Sequence, residues 1–161
     1  SITSGINSTY KEYIFMFNNI HPATDGANFT FNLSTDSGSN YNVTKTTTAF
    51  RTYHFESGSG GAVSYRTASD LAQSTSYQPL DYQLGADNDQ SLSGYLHLFE
   101  PSSDTFVKHF IGRTFSSLDD NNTIDFYVAG YGNTTSAVDA IDFKMSSGNI
   151  DSGTIDMYGV L

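Results

Sequence analysis

The run Tyr13-Ile14-Phe15-Met16-Phe17 is apolar at five consecutive positions and closes on Asn18-Asn19. Its short length and polar stop predict a strand buried on both faces rather than a helix. His21 to Gly26 follow as a loop, because Pro22 removes a ladder donor and Asp25-Gly26 favours a turn. Phe29, Phe31 and Leu33 then alternate with Asn28, Thr30 and Asn32, which predicts a strand with one wet face. Asp36-Ser37-Gly38-Ser39 reads as a hairpin turn. Residues 41–55 read as a long Thr-rich strand or a pair of strands ending in Phe50, Tyr53 and Phe55. Residues 57–61 (Ser-Gly-Ser-Gly-Gly) are a flexible exposed tip, since neither half of the chain alone holds enough strands to close a sandwich.

The only helix candidate is a single turn, Asp70-Leu71-Ala72-Gln73, capped by Ser69. Residues 77–92 are loop-like, with Pro79 and the polar stretch Asp87-Asn88-Asp89-Gln90. Strands are predicted at Tyr95–Phe99, Thr105–Phe115, Ile124–Val128, Asp139–Met145 and Thr154–Val160. In the second of these, Phe106, Lys108 and Phe110 share one face, and Val107, His109 and Ile111 share the other. In the fourth, Ile141, Phe143 and Met145 oppose Asp142 and Lys144. No βαβ alternation appears. The expectation is an all-β fold: an antiparallel two-sheet β-sandwich of jelly-roll type, with eight to ten strands and at most one short helix. Residues 1–161 form a single domain in this reading, with residues 1–10 as a polar lead-in.

Composition agrees with strands joined by polar turns. The chain holds 12 Phe and 11 Tyr without Trp, and charged residues are only 15%. A chain of 161 residues buries roughly 70% of its unfolded surface. It can therefore hold a core without disulfides, and with no Cys it has none. The formal charge of −10 argues against nucleic-acid and anionic-membrane partners, which both require a cationic footprint. No run approaches the 18 apolar residues of a spanning helix. No signal peptide is visible at the N-terminus. The start at Ser1 fits removal of an initiator Met and excision from a longer polypeptide equally.

Candidate chemistry is sparse. His21, His54, His97 and His109 show no metal-binding spacing on a common element. Ser59 lies in Gly-Ser-Gly but in no strand-to-helix elbow, and no phosphate-cradling glycine loop occurs. Glutamates available to pair for glycoside hydrolysis are few: Glu12, Glu56 and Glu100. Hard oxygen ligands for calcium come close together at Asp87-x-Asp89 and at Asp119-Asp120-Asn121, although neither is a complete EF-hand loop. These four aspartates are acidic turns first and calcium candidates second; no other cofactor is expected. Six Asn-x-Ser/Thr sequons reflect the abundance of Ser and Thr. Tyr41, Tyr65, Tyr77, Tyr82 and Tyr131 lie near predicted loops, and a rigid aromatic with a polar tip makes a good contact anchor. Tyr77, Tyr82 and Tyr131 are the candidates for binding a ligand or partner.

Three stretches carry a family resemblance. Tyr10-Lys11-Glu12-Tyr13 leading into Phe17-Asn18-Asn19-Ile20-His21-Pro22 resembles a segment of virion structural proteins of marine tailed bacteriophages, cyanophages especially. So does Ser93-Gly94-Tyr95-Leu96-His97-Leu98-Phe99, followed by Phe106-Val107-Lys108-His109. The ending from Ser146 to Val160, with Ser-Gly-Asn-Ile-Asp-Ser-Gly-Thr-Ile and then Tyr-Gly-Val, is similar to the last hairpin of such domains. These motifs mark strands and a hairpin and name no catalytic residue. The resemblance implies a non-enzymatic jelly-roll module on the virion exterior, as a head decoration or a tail-fibre or appendage module. It implies a homotrimer, contacts with other capsid or tail proteins, and attachment to a host surface glycan. The rival expectation is a carbohydrate-binding β-sandwich that uses exposed Tyr, with calcium from the Asp87/Asp89 turn.

Overall fold

The computed structural model describes residues 1–161. Ten strands build two antiparallel sheets, and no helix forms. In chain order they are β1 (Glu12–Pro22), β2 (Phe29–Ser34), β3 (Lys45–Phe55), β4 (Gly61–Tyr65) and β5 (Gln78–Pro79). They continue with β6 (Leu92–Phe99), β7 (Lys108–Ser117), β8 (Asn122–Gly132), β9 (Ala140–Met145) and β10 (Ile150–Val160). The large sheet has seven strands in the order β10-β1-β6-β7-β8-β3-β4, and the small one has three, β5-β2-β9. The sandwich and its strand count follow the sequence expectation. A double Greek key of eight strands is a finer statement than this seven-and-three pairing supports.

The core is a bed of phenylalanines between the sheets. Phe143 of β9 lies 5.4 Å from Phe15, 5.3 Å from Phe17 and 5.8 Å from Phe29, centroid to centroid. Phe31 of β2 meets Phe110 of β7 edge-on at 5.0 Å. Period-two alternation supplies these rings: Tyr13, Phe15 and Phe17 point inward from β1, and Phe29, Phe31 and Leu33 from β2. They belong to one cluster of 25 buried apolar residues.

Two strands exchange the burial their patterns predict. β1, apolar at five consecutive positions, is buried on one face only: Ile14 is half-buried and Met16 is 36% exposed. β2, with its polar alternation, is buried on both faces. Its outer side chains are covered by connecting segments, where Asn32 Nδ2 donates to the carbonyls of Tyr41 at 2.7 Å and Thr75 at 2.9 Å. The outer face of the large sheet is left open, and the outer face of the small sheet is not.

The remaining differences each trace to specific contacts. No helix forms at 69–73, because β3 captures that backbone: Thr47 N donates to Leu71 O, and Lys45 and Ser74 exchange both backbone bonds. Gln78 Nε2 takes the Ser69 carbonyl at 2.8 Å and fixes the segment. The strand expected from Thr105 begins at Lys108, and Phe106 stays 69% exposed in the preceding turn. Buried Lys108 folds back there, its Nζ donating to the carbonyls of Ser103 and Phe106 at 2.7 Å each. Residues 1–10 are more than a lead-in, since Ile2 bridges to Ile141 and Ile6 joins the core. The 77–92 segment contributes β5, where Thr30 pairs with Pro79.

Candidate functional site

Strand register places the outward side chains of the large sheet in rows. One row crosses all seven strands: Asp156, Met16, Tyr95, Arg113, Tyr127, Phe50 and Tyr65. The next runs Tyr158, Ile14, His97, Ile111, Ala129 and Thr48. Facing water on this side, Phe115 is 57% exposed, Tyr158 56%, Tyr65 54%, Ile111 50% and Phe50 41%. Apolar side chains this large and this open, gathered on one face, mark a contact surface.

The centre of the first row is a stack of planar groups standing on edge. Phe50 and Tyr127 lie face to face, with centroids 4.6 Å apart and planes 4° from parallel. Arg113 covers the other side of Tyr127, its Cζ 4.9 Å from the ring centroid. The guanidinium is held by Asp125, which accepts from Nε at 2.9 Å and from Nη2 at 2.7 Å. That bidentate pair holds the Asp125 carboxyl below its ordinary range and keeps Arg113 protonated. Tyr127 also donates its hydroxyl to Asp125 at 3.0 Å. The result is a rigid ridge with its charges paired internally. A similar pair sits on the second row and its neighbour, where His97 Nδ1 bonds the Glu12 carboxylate.

Beside the ridge lies a shallow hollow of about 500 Å³ lined by Thr46, Thr48, Phe99, His109, Ile111, Ala129 and Tyr131, among others. It exists because Ala129 and Thr48 are short between longer neighbours. Tyr131 and His109 stand edge to face at 6.3 Å on its wall.

The structure separates the three tyrosines singled out from the sequence. Only Tyr131 borders this hollow. Tyr77 lies over the small sheet, where its hydroxyl donates to Asp142 at 2.9 Å and Lys144 Nζ covers its ring at 3.9 Å. Burial, then Asp142, pushes the Tyr77 phenol up out of its ordinary range. Tyr82 packs against the core with Arg66 3.9 Å and Arg51 4.8 Å from its ring centroid. Tyr77 and Tyr82 are thus committed to internal contacts. Tyr65 stands on β4 at the end of the ridge row and donates to Asp70 at 2.7 Å, while the Tyr41 hydroxyl is buried without a partner.

The acidic turns come to one end of the sandwich. Gly85 N donates to Ser117 O at 3.1 Å and Gln90 Nε2 to Leu118 O at 2.8 Å, which ties the Asp87/Asp89 turn to the Asp119/Asp120 turn. Burial raises the Asp119 carboxyl, and Asp120 and Asp25 add to the shift. Asp120 accepts from Asn122 Nδ2 at 2.8 Å. No three His, Asp or Glu side chains converge on a point that would hold a metal ion.

Sequence reasoning missed the ridge and most of the hollow, although it placed His109 and Ile111 together on one face of their strand. The available signal was apolar side chains on both faces of the β1 and β7 runs. No family model, curated protein or solved structure matches this chain.

Proposed function

We propose that this chain is a non-enzymatic structural protein of a tailed-bacteriophage virion, displayed on the particle exterior as a head decoration or a tail-fibre or appendage module. It acts by protein contact, as a homotrimer and with neighbouring capsid or tail proteins. The observation that carries the contact reading is the open apolar face of the seven-stranded sheet. A surface of that size and rigidity serves assembly, and binding energy concentrates in aromatic and Arg anchors of the kind the ridge presents. The virion setting comes from the resemblance of the β1, β6 and β10 segments.

The strongly perturbed groups fit a building block too. Lys45, pushed down to about 7 by burial, and Asp81, pushed up to about 8 by burial, are enclosed in the core rather than gathered in a cleft. The test is proteomics of density-banded particles from a culture carrying the gene, with antibody labelling of the intact particles. The expected result is the chain at many copies per particle and label on the outside. Its absence from the particles refutes the reading.

A second reading, a carbohydrate-binding module, is favoured by one observation. The hollow combines an apolar floor with the polar tips of Thr46, Thr48, His109 and Tyr131, the mixture that small-ligand sites use. A glycan array run with and without chelator tests it, and binding lost in Tyr131→Ala supports it.

A further inference from the structure

We propose that the outer face of the seven-stranded sheet is covered by a second copy of this chain. This rests on the contact reading above and names the partner that the face takes.

Area is the first support. Phe50, Tyr65, Ile111, Phe115 and Tyr158 are 41–57% exposed, and Met16 is 36% exposed. The four aromatic ones carry about 150–250 Å² each, so the six together leave on the order of 600 Å² of side-chain surface in water, spread from β10 to β4. The largest patch on a typical monomer is about 300–600 Å². One partner's share of a standard interface is about 800 Å², which the polar rim of this face brings within reach.

Charge is the second. The chain carries −10, yet Glu12, Asp125 and Asp156 are the carboxylates in the regular register of this face, and Asp151 at the β10 bulge is bonded by His21. Asp125 is neutralised by Arg113, Glu12 is bonded by His97, and Asp156 on the edge strand accepts from Asn18 Nδ2 at 3.4 Å. The other carboxylates lie in turns, in the core or elsewhere on the surface. A cationic partner finds no field to follow here, whereas two such faces meet without repulsion.

Shape is the third. The Phe50–Tyr127–Arg113 ridge and the hollow beside Ile111 occupy neighbouring rows of one face. A knob and a socket side by side let the ridge of one copy enter the hollow of the next. The ridge is already ordered by its own contacts, so docking it costs little side-chain entropy.

The experiment is sedimentation velocity of the full chain at micromolar concentration in seawater-strength salt. Wild type is expected to sediment as a dimer or trimer. Ile111→Asp sets an unpaired carboxylate in the centre of the face and is expected to weaken association at least about 100-fold. Ile111→Thr keeps the β-branched shape, guards against misfolding, and is expected to weaken it about tenfold. Ser136→Asp, in an exposed loop off this face, is expected to change nothing, and all variants should melt with the wild-type profile when monomeric. A monomeric wild type overturns the inference, as does an oligomer that survives Ile111→Asp. A monomer that binds glycans through Tyr131 overturns it in favour of the sugar reading. If the chain is present on particles but does not self-associate, this inference and the homotrimer fall together and the virion reading stands. If it self-associates but is absent from particles, only the virion reading falls.

Discussion

Phe143 is where the two sheets are joined, and removing its ring tests that claim directly. It sits on β9 at 7% exposure and contacts Phe15 and Phe17 of the large sheet and Phe29 and Phe31 of the small one, at 5.3–6.4 Å. Phe143→Ala removes the apolar burial of a ring and leaves a cavity lined by four other rings that cannot collapse onto it. The expected cost is about 3–5 kcal/mol, toward the upper end because the site is ringed on several sides. Phe143→Leu refills most of the volume and loses mainly the ring-on-ring geometry, so its cost should be about 1–2 kcal/mol. Urea unfolding followed by far-UV and near-UV circular dichroism reads both, with the slope m unchanged if the native and denatured areas are unchanged. Runs at two protein concentrations separate any stabilisation from self-association, which shifts the midpoint with concentration. A cost below about 1.5 kcal/mol for Phe143→Ala would refute the reading that this ring bonds the sheets. So would two separate transitions in the wild type, one for each sheet. Phe15→Ala, from the facing side of the same contact and at 0% exposure, should likewise cost about 3–5 kcal/mol.

Stability should pass through a minimum between about 7 and 8, the folded-state pKa values of Lys45 and Asp81. Asp81 binds its proton more tightly folded than unfolded, so its contribution falls as pH rises from the ordinary carboxylate range to about 8. Lys45 releases its proton more readily folded than unfolded, so stability recovers as pH rises from about 7 toward the ordinary lysine range. Melting temperature against pH checks this: Asp81→Asn should flatten the acid limb alone and Lys45→Met the alkaline limb alone, and identical profiles in all three proteins would contradict it. Gly94→Ala should destabilise by about 1–3 kcal/mol, because the added Cβ would lie 2.3 Å from Arg113 O and 2.7 Å from Thr114 Cα, backbone atoms of the neighbouring strand; urea unfolding reads it, and a neutral result would mean that β6 and β7 are further apart. Self-association should tighten as salt rises from low ionic strength, because the contact face is neutral while the rest of each −10 chain repels its neighbour over a Debye length; weakening with salt in sedimentation runs would mean that ion pairs cross the interface.

The fold was legible where a periodic pattern met a local boundary. The alternation of Ile141, Phe143 and Met145 gave the inner face of β9 correctly; Asp36 to Ser39 do form a turn, Ser39 N donating to Asp36 O at 3.2 Å, but not the expected hairpin, because β2 and β3 lie in different sheets. It was illegible where distant chain decides the outcome. The Ser69–Gln73 segment has an adequate helix start, but Thr47 and Gln78 take its backbone groups, and neither is a local neighbour. Lys45 sits in a Thr-rich run that suggests solvent, yet it is buried with its Nζ on Asn32 Oδ1 and Val43 O. Of the tyrosines singled out by composition, Tyr131 lines the hollow, and composition could not reveal that Tyr82 packs against Arg51 and Arg66.

The misreading of β1 and β2 is the more instructive error, because one half of it turns into an argument. Period two reports what touches each face and does not say whether the cover is the same chain. For β2 the cover is polar backbone, so Thr30, Asn32 and Ser34 are buried while looking wet: each makes a hydrogen bond, to Lys144 O, to Tyr41 and Thr75 carbonyls, and to Asp36. For β1 the pattern asks for cover on both faces, and the folded chain supplies one. Ile14 and Met16 stay partly open beside Tyr95, His97 and Tyr158. The outer side of β7 makes the same demand with Ile111 and Phe115. Leaving apolar side chains in water costs about 25 cal/mol per Å², so one isolated case would signify little. A face on which β1, β3, β7 and β10 all present such side chains, with Arg113 and Asp125 paired at its centre, is a candidate for cover. Under the proposed self-association, the pattern of β1 is the one it has in the assembly and the single chain is the incomplete state. Burial of Met16 and Ile111 on association, followed by methyl NMR of labelled Met and Ile at rising protein concentration, separates the two descriptions. Shifts confined to residues of the outer face would establish the cover, and shifts confined to the inner core or to none would leave β1 a half-buried strand and nothing more.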